Sequence, residues 1–535
     1  MNWKKALGSD YMKTHLIFIG LALTAASCLA LSGKAWAGGP GGSQYYTYNY
    51  DFWGEARESP NPYNVEAVLF GCDLGIGNFR DPQGLFARDG QIWIVDSGNN
   101  RIVECDKNWN LVRVIDEFML DGVPDTFNYP HDVFVTEAGN LYVADTNNQR
   151  IVEMDKDLNA VLIITKPENA LMDMSNEFLP TKLVADTAGR IYLLARNTNK
   201  GLMEFDARGS FTGYVGANKV NFSIADMIWK TISTRAQRDQ MALFVPTEYN
   251  NVALDHKGFL FTTCSSITED DLMNLAFYEE NDLLAKLFGA GQSSNVEPIR
   301  RLNAMGADIL IRNGWVSPIG DWQWDDRGEI SGPSRFVDIA SAQNDSYFAL
   351  DRVRARVFAY DFQGNLLYVF GGLGNKAGYF QYPTAIEYTN GSILVLDGRA
   401  ASVTVFTPTA YGALIEQALN EYIKGNYALS ASIWEQALVY NVNYDLAYIG
   451  LGRALMREER YKEAMYYFKL KYDRVNYSKA FQQYRKQVIE KNINIIVGGL
   501  IGLIVLRTAY KHTCRLWRLK YNGRGRDGNG IGKAA

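Results

Sequence analysis

Several prolines in the sequence are each followed by a polar side chain that could contact a ligand. The positions are Gln83, His131, Thr181 and Thr384, with Arg335 aligned in a further copy of the pattern and Asn250 or Asn251 in another. Asp132 follows His131 and is the only acidic residue of the set. A guanidinium and an imidazole are donors suited to charged oxygens. We therefore predict that Arg335 and His131 recognise a polar or anionic group, with the other positions beside them.

Catalytic chemistry has little support in these residues. Between residues 38 and 506 the only histidines are His131 and His256, and His256 lies in a predicted turn, Asp255-His-Lys-Gly258. A zinc site takes three or four nitrogen, sulfur or carboxylate ligands. The sequence also lacks the Gly-x-Ser-x-Gly motif of a serine nucleophile. We predict no catalytic residue, no metal site and no cofactor from these patterns.

An aromatic cluster is the second candidate for ligand contact. Trp315 is followed by Trp322-Gln-Trp324-Asp-Asp326 in a long segment without strand character. Alternate tryptophans in a loop can form a platform for sugar rings or a peptide. The same tryptophans could instead cover the edge of a sheet, and the sequence leaves both interpretations open.

The candidate ligand residues are spread over some 300 positions, so a fold must bring them together. The segment Asp96-Ser-Gly-Asn-Asn-Arg101-Ile102 recurs 49 positions later as Asp145-Thr-Asn-Asn-Gln-Arg150-Ile151. Six strand-like runs follow this period, at residues 91–95, 141–144, 191–195, 259–263, 347–350 and 393–396. Short alternating strands cannot bury both faces alone, so we predict a mainly β fold, a six-bladed propeller. Each innermost strand then begins after its proline, and residues 65–70 supply the outer strand that closes blade six.

The repeat resembles the NHL-repeat propellers. The resemblance covers residues 65–409 and is carried by glycine-aromatic motifs, in Phe370-Gly-Gly-Leu-Gly374 with Gly378-Tyr-Phe380 and in Phe70-Gly71 with Gly77-Asn-Phe79. It weakens where helical insertions are predicted, at residues 222–243 and 268–288. The gluconolactonase and regucalcin superfamily shares this fold, and this likeness implies an alternative function, a metal-dependent lactonase-like hydrolase with a divalent metal in the channel. Amidating lyases of this fold place histidines in several blades, whereas this chain has only His131.

A helical repeat follows the propeller, over residues 412–491. The matching positions, 34 residues apart, are Gly425 and Glu459, Tyr427 and Tyr461, Ser430 and Ala464, Trp434 and Phe468, and Ala437 and Lys471. Thirty-four residues is the tetratricopeptide period. The segment resembles that family, which implies paired antiparallel helices that dock a protein partner.

The two ends of the chain predict export and membrane anchoring. Residues 1–37 have the layout of a signal peptide, with Ala35-Trp-Ala37 as the cleavage site. Residues 38–64 are predicted to form an extended lead-in. An apolar segment at 493–510 predicts a transmembrane helix, with an amphipathic capping helix as the alternative. The tail at 511–535 is basic, and with Arg507 it holds eight Lys or Arg against Asp527 alone. This predicts a cytoplasmic C-terminus, with the propeller and the helical repeats outside.

The charge distribution restricts the partners. The chain carries a formal charge of −5, of which the signal has +3 and residues 507–535 have +7, leaving −15 for residues 38–506. Such a surface repels nucleic acid. We predict a single-pass membrane protein that acts as an extracytoplasmic recognition scaffold. Its propeller would bind a carbohydrate, a peptide or a partner protein, and its helical repeats a membrane partner; the lactonase-like hydrolase stays the alternative.

Overall fold

A computed structural model describes residues 45–51, 53–168, 177–196, 201–216, 249–264, 297–314, 316–321 and 333–523. The predicted signal, both predicted insertions and residues 524–535 lie outside these ranges. The chain divides into two compact units, with the boundary between Ala413 and Leu414.

The first unit is a ring of antiparallel sheets. In chain order its strands are β1 (Tyr48–Tyr50), β2 (Ala56–Glu58), β3 (Tyr63–Phe70), β4 (Gly84–Arg88), β5 (Gln91–Asp96), β6 (Arg101–Asp106), β7 (Leu111–Ile115), β8 (Glu117–Leu120), β9 (Val123–Thr126), β10 (Pro130–Val135), β11 (Leu141–Asp145), β12 (Arg150–Met154), β13 (Ala160–Ile164), β14 (Pro180–Ala185), β15 (Ile191–Ala195), β16 (Leu202–Phe205), β17 (Phe211–Val215), β18 (Tyr249–Leu254), β19 (Leu260–Cys264), β20 (Ile299–Leu302), β21 (Phe336–Ser341), β22 (Tyr347–Asp351), β23 (Arg356–Tyr360), β24 (Leu366–Gly371), β25 (Pro383–Thr389), β26 (Ser392–Asp397) and β27 (Ser402–Pro408).

These strands form the six predicted blades. Blades one to three are β4–β7, β10–β13 and β14–β17; blade four is β18–β20, blade five contains β21–β24, and blade six contains β25–β27. The second strand of each blade differs from its predicted run by at most one residue at either end. These second strands are almost entirely buried, because each is covered by neighbouring blades on both faces. The prediction of a mainly β, six-bladed propeller is confirmed.

The ring closes through the N-terminal strand. Each innermost strand packs against that of the next blade, and β25 packs against β4. Strand β3 pairs with β27, from Phe70 opposite Ser402 to Tyr63 opposite Pro408. The predicted closing strand is thus present and starts two residues earlier than the sequence indicated. Among the described residues, Cys72, Cys105 and Cys264 form no disulfide bond.

The lead-in contributes two further strands to blade five. Strand β1 pairs with β24 and β2 pairs with β1. The Tyr48 hydroxyl donates to the Asp321 carboxylate at 2.7 Å, and Nη1 of Arg356 donates to the same group at 2.6 Å. These contacts between distant parts of the chain attach the lead-in to the ring.

The described part of the C-terminal region, up to residue 523, contains five helices. They are α1 (Ala410–Ile423), α2 (Tyr427–Tyr440), α3 (Asp445–Arg457), α4 (Tyr461–Leu470) and α5 (Arg474–Gly523). From α2 onward, consecutive helices pack together. A Cβ atom at Gly452 would lie 2.7 Å from the Phe468 ring, so the glycine permits the close approach of α3 and α4. Gly425 and Glu459, 34 positions apart, both have positive φ, at 85° and 62°. The tetratricopeptide assignment of these helices stays a prediction.

Helix α5 contains the predicted transmembrane segment. In the described part of the chain it is the one helix long and apolar enough to cross a membrane, and no residue of its apolar window is buried. It is continuous from Arg474, so the last part of the predicted repeat region (412–491) and the predicted span (493–510) form one helix.

Candidate ligand site at the mouth of the channel

A recurring irregularity places one side chain per blade at the same end of the ring. In blades two to six the pairing register of the innermost strand shifts next to its first residue. One residue per strand is therefore extra, as in a β-bulge, which re-aims a side chain. The extra residues are His131, Thr181, Asn250, Val337 and Thr384. In blade one, Gln83 precedes the first paired residue, and its N–H donates to the carbonyl of Val95 at 3.1 Å.

These six residues line one open cavity of about 580 Å³. It has the size of a small-molecule site. The remaining lining residues are Asp81, Tyr129, Lys182, Leu194, Ala195, Arg196, Tyr249, Arg352 and Tyr382. Of the predicted ligand residues, Gln83, His131, Thr181 and Thr384 thus come together at this mouth.

Two predicted residues lie elsewhere. Phe336 pairs with Asp351 as Pro130 pairs with Asp145, so the bulge residue of blade five is Val337. Arg335 lies two positions earlier, is exposed and is not among the lining residues. Asp132 follows the bulge and is buried beneath the mouth.

The cations of the mouth were missed by sequence reasoning. Arg196 and Arg352 each come directly after the second strand of a blade. The Arg352 guanidinium stacks 4.6 Å from the centroid of the Tyr382 ring, and its Nη1 donates to the Tyr382 hydroxyl at 3.1 Å. An arginine immediately after the second strand, present in blades three and five, is the sequence signal that would have found them.

His131 is neutral in this environment. Burial lowers the pKa of its imidazole to about 3, and the nearby Lys182 and Arg196 charges act in the same direction. Its buried Nδ1 has no hydrogen-bond partner among the described residues. Because this nitrogen has almost no exposed surface, it does not face the open cavity, and the polar side chains around it are the groups that a ligand would meet.

Hydrogen bonds between blades hold the rim in place. Nδ2 of Asn250 donates to the carbonyl of Phe336 at 2.8 Å, and the Thr384 hydroxyl donates to the carbonyl of Pro82 at 3.3 Å. Asp81 accepts from the Tyr129 hydroxyl and, at 2.6 Å, from Nε2 of Gln83. Tyr129 has φ 51°, in the left-handed region that bulky residues rarely adopt. Such strain is common at functional sites.

Lys182 forms the floor of the mouth. Its Nζ lies 3.3 Å from Oδ1 of Asp132 and 3.8 Å from Oδ2 of Asp338. Those acids also accept backbone N–H groups from neighbouring blades, Leu183 at 3.1 Å and Ile386 at 2.9 Å. Below Lys182 a narrow channel of about 160 Å³ continues between the innermost strands, and Asp132, Asp338 and Glu387 line it.

The floor is a buried charge cluster. Burial raises the pKa of Asp132 to about 6 and that of Asp338 above its usual range, although Lys182 opposes both shifts. Burial and the Asp338 charge raise the pKa of Glu387 well above its usual range. Burial by itself would lower the pKa of Lys182. The Asp132 and Asp338 carboxylates outweigh that effect, so the pKa of Lys182 is raised. Within the described ranges, no three His, Cys, Asp or Glu side chains are grouped to hold a metal.

The predicted aromatic platform lies outside the described residues. Trp315, Trp322 and Trp324 all fall in gaps between the described ranges. Their role stays a prediction.

Comparison with known proteins supports the repeat type. A family model for the NHL repeat matches residues 127–153, the segment that carries His131 and Asp132. None of the curated proteins matches the sequence. Among solved structures, virginiamycin B lyase from Staphylococcus aureus is 12% identical and has a TM-score of 0.36, over 65% of this chain and 100% of that one. The WD40 repeats of RRP9 are 8% identical, with a TM-score of 0.38 over the same shares. Similarities this low carry no information about activity.

Proposed function

We propose that this protein is a membrane-anchored recognition protein whose channel mouth binds a small anionic ligand that carries hydroxyl groups, such as a sugar acid. The observation that carries the proposal is that two guanidinium groups and several neutral polar side chains line one polar cavity. Arg196 and Arg352 supply donors for a carboxylate. The side-chain oxygens of Gln83 and Thr181, which line the same cavity, supply acceptors for hydroxyl groups.

The shape and lining of the cavity agree with a sugar-sized ligand. Its volume of about 580 Å³ lies in the usual range for small-molecule sites. Tyr129 lies at its rim and provides a ring face for the apolar surface of a sugar.

The centre of the ring argues against the alternative, a metal-dependent hydrolase. The Lys182 ammonium already lies between the two inner carboxylates, Asp132 and Asp338. A divalent cation bound there would face this positive charge at short range.

The membrane role rests on the two ends of the chain. Helix α5 has the length and composition of a span, and the predicted signal peptide implies export. We infer that the propeller and the helical unit lie outside the cell membrane with the C-terminus in the cytoplasm, and that the helical unit docks a membrane partner.

The binding proposal is tested with the full chain in nanodiscs by calorimetry. D-Galacturonate should bind and D-galactose should not, because only the acid supplies a carboxylate. Arg352→Gln and Arg196→Gln should each weaken galacturonate binding about ten-fold or more, the usual effect of losing a charged hydrogen bond. Arg335→Gln is the matched control and should bind normally, since Arg335 does not line the cavity.

Three results would contradict the proposal. They are equal binding of the acid and the neutral sugar, no binding of either, and a loss in Arg335→Gln as large as that in Arg352→Gln.

A further inference from the structure

An apolar groove runs between α4 and the start of α5. Its volume is about 860 Å³, and it is lined on the α4 side by Tyr466 and Leu470 and on the α5 side by Tyr477. The exposed fractions of Tyr466 and Leu470 are 63% and 45%. Phe481 extends the apolar surface, since its ring stacks on Tyr477 with centroids 6.4 Å apart. We call this surface the α4–α5 groove.

The helix pattern explains why the groove is open. Helix α3 packs against α2 and α4 against α3. Helix α5 packs against α4 but then continues as one helix of 50 residues instead of turning back. The groove lies where the next helix of the pattern would pack, so a helix is the shape that fits it.

The charges of the groove specify the partner further. Lys469, Arg474 and one acid, Asp473, line it. Asp473 is buried, and its carboxylate accepts hydrogen bonds from the N–H and the Nδ2 of Asn476 at 2.9 and 2.6 Å. Neither cation forms an ion pair with a described residue. By contrast, the neighbouring Lys471 is paired with Asp445 at 2.6 Å. Unpaired cations beside an apolar surface favour a ligand with carboxylates beside its apolar stripe.

The distance between the groove and the membrane favours a protein over a lipid as the occupant of the groove. Phe481 precedes the start of the predicted span, Ile493, by 12 residues. At 1.5 Å per residue this is about 18 Å of helix. The headgroup layer is only about 5–8 Å thick on each side. The groove therefore lies beyond the lipid surface, given the membrane placement of the proposed function.

We propose that the α4–α5 groove binds an amphipathic helix with acidic residues on both sides of its apolar stripe, supplied by the outer part of a membrane protein. Binding of an apolar helix face in such a groove is an established mode of peptide recognition. The apolar surface supplies the affinity, and Lys469 and Arg474 select acidic partners. This proposal rests on the proposed function and identifies the partner of its helical unit.

The test uses two synthetic peptides and the full chain in nanodiscs. Both peptides carry Leu at positions i, i+3, i+4 and i+7, with Glu flanks in one and Lys flanks in the other, and binding is measured by fluorescence anisotropy. The Glu-flanked peptide should bind about ten-fold or more tightly than the Lys-flanked one, and added salt should reduce the difference. Lys469→Glu combined with Arg474→Glu should reverse the preference.

Apolar variants and a matched control complete the test. Tyr466→Ala and Leu470→Ala should each weaken binding of the Glu-flanked peptide. Val439→Ala should not, because Val439 is 85% exposed on α2 and does not line the groove. Circular dichroism checks that each variant keeps its helices.

Binding of neither peptide, equal binding of both, or a preference that survives the charge reversal would overturn the proposal. Galacturonate binding, measured on the same sample, separates the two ideas. If galacturonate still binds while neither peptide binds, only the groove proposal is wrong. If the peptides bind as expected and galacturonate does not, the proposed ligand site at the channel mouth is wrong.

Discussion

Lys182 balances two acids at the centre of the propeller. Its ammonium, Asp132 and Asp338 are all buried, and the lysine is the cation within ion-pair distance of both carboxylates. Burying a charge is costly unless a partner compensates it. The geometry of the mouth above therefore depends on a side chain that also lines the channel below it.

At the residue scale, Lys182→Met should destabilise the propeller. Removing one partner of a buried ion pair typically costs about 3–5 kcal/mol, because the remaining charges lose their compensation. Urea unfolding at pH 8 measures the loss. Lys107→Met is the control, since Lys107 is exposed and should change stability little.

The stability lost in Lys182→Met should depend on pH in a defined direction. The pKa of Asp132 is raised from 3.8 to about 6, so between these values the folded state binds a proton that the unfolded state lacks. Its contribution to the free energy of unfolding therefore grows as pH falls through this window. Without Lys182 both acids should titrate at still higher pH, so Lys182→Met should recover part of its loss at pH 5. An equal loss at pH 8 and pH 5 would contradict this account.

At the scale of elements, two N-terminal segments complete two different blades. Strand β3 covers the outer edge of blade six, and β1 with β2 extends blade five. Strand β3 pairs along almost the whole of β27, whereas β1 pairs with β24 at the single position Tyr48 opposite Val369. Among the described strands, β3 is the one from the start of the chain that pairs with the last blade.

Removal of β3 should open the ring. A chain lacking residues 45–70 exposes β27 as an unpaired edge, which promotes aggregation. We expect it to aggregate or to melt about 10 °C or more below the intact protein, at about 2–4 °C per kcal/mol lost. A chain lacking only residues 45–58 keeps β3 and should lose less. Calorimetric melting compares the two, and equal melting temperatures would show that β3 does not close the ring.

At the scale of the whole chain, charge and hydropathy predict a direction across the membrane, as the proposed function requires. The apolar part of α5 is followed by a cluster of cations within the described helix, Arg507, Lys511, Arg515, Arg518 and Lys520. Cations concentrate on the cytoplasmic side of spans. The bulk of the chain, with its opposite charge, would then lie outside.

Protease added to intact cells should reveal this orientation. It should remove an epitope in the propeller and spare a tag placed after Ala535. Loss of both signals, or protection of both, would contradict a single span with the C-terminus inside.

The sequence by itself determined the elements. Alternating apolar residues and turn motifs act over a few positions, so the second strand of every blade and the closing strand β3 could be predicted nearly to the residue. The recurring proline likewise indicated the start of the innermost strands, and with it Gln83, His131, Thr181 and Thr384.

Only the tertiary structure decided which side chains meet. Val337 lies at the mouth instead of Arg335 because the strand register fixes the bulge two residues later. Arg196 and Arg352 join the mouth, Lys182 reaches acids from two other blades, and Tyr48 reaches Asp321 from 273 positions away. Such contacts depend on register and ring closure, and a shift of one residue turns a side chain to the other face of its sheet. Local patterns contain no information about that shift, so the strands could be read from the sequence while the site required the closed ring.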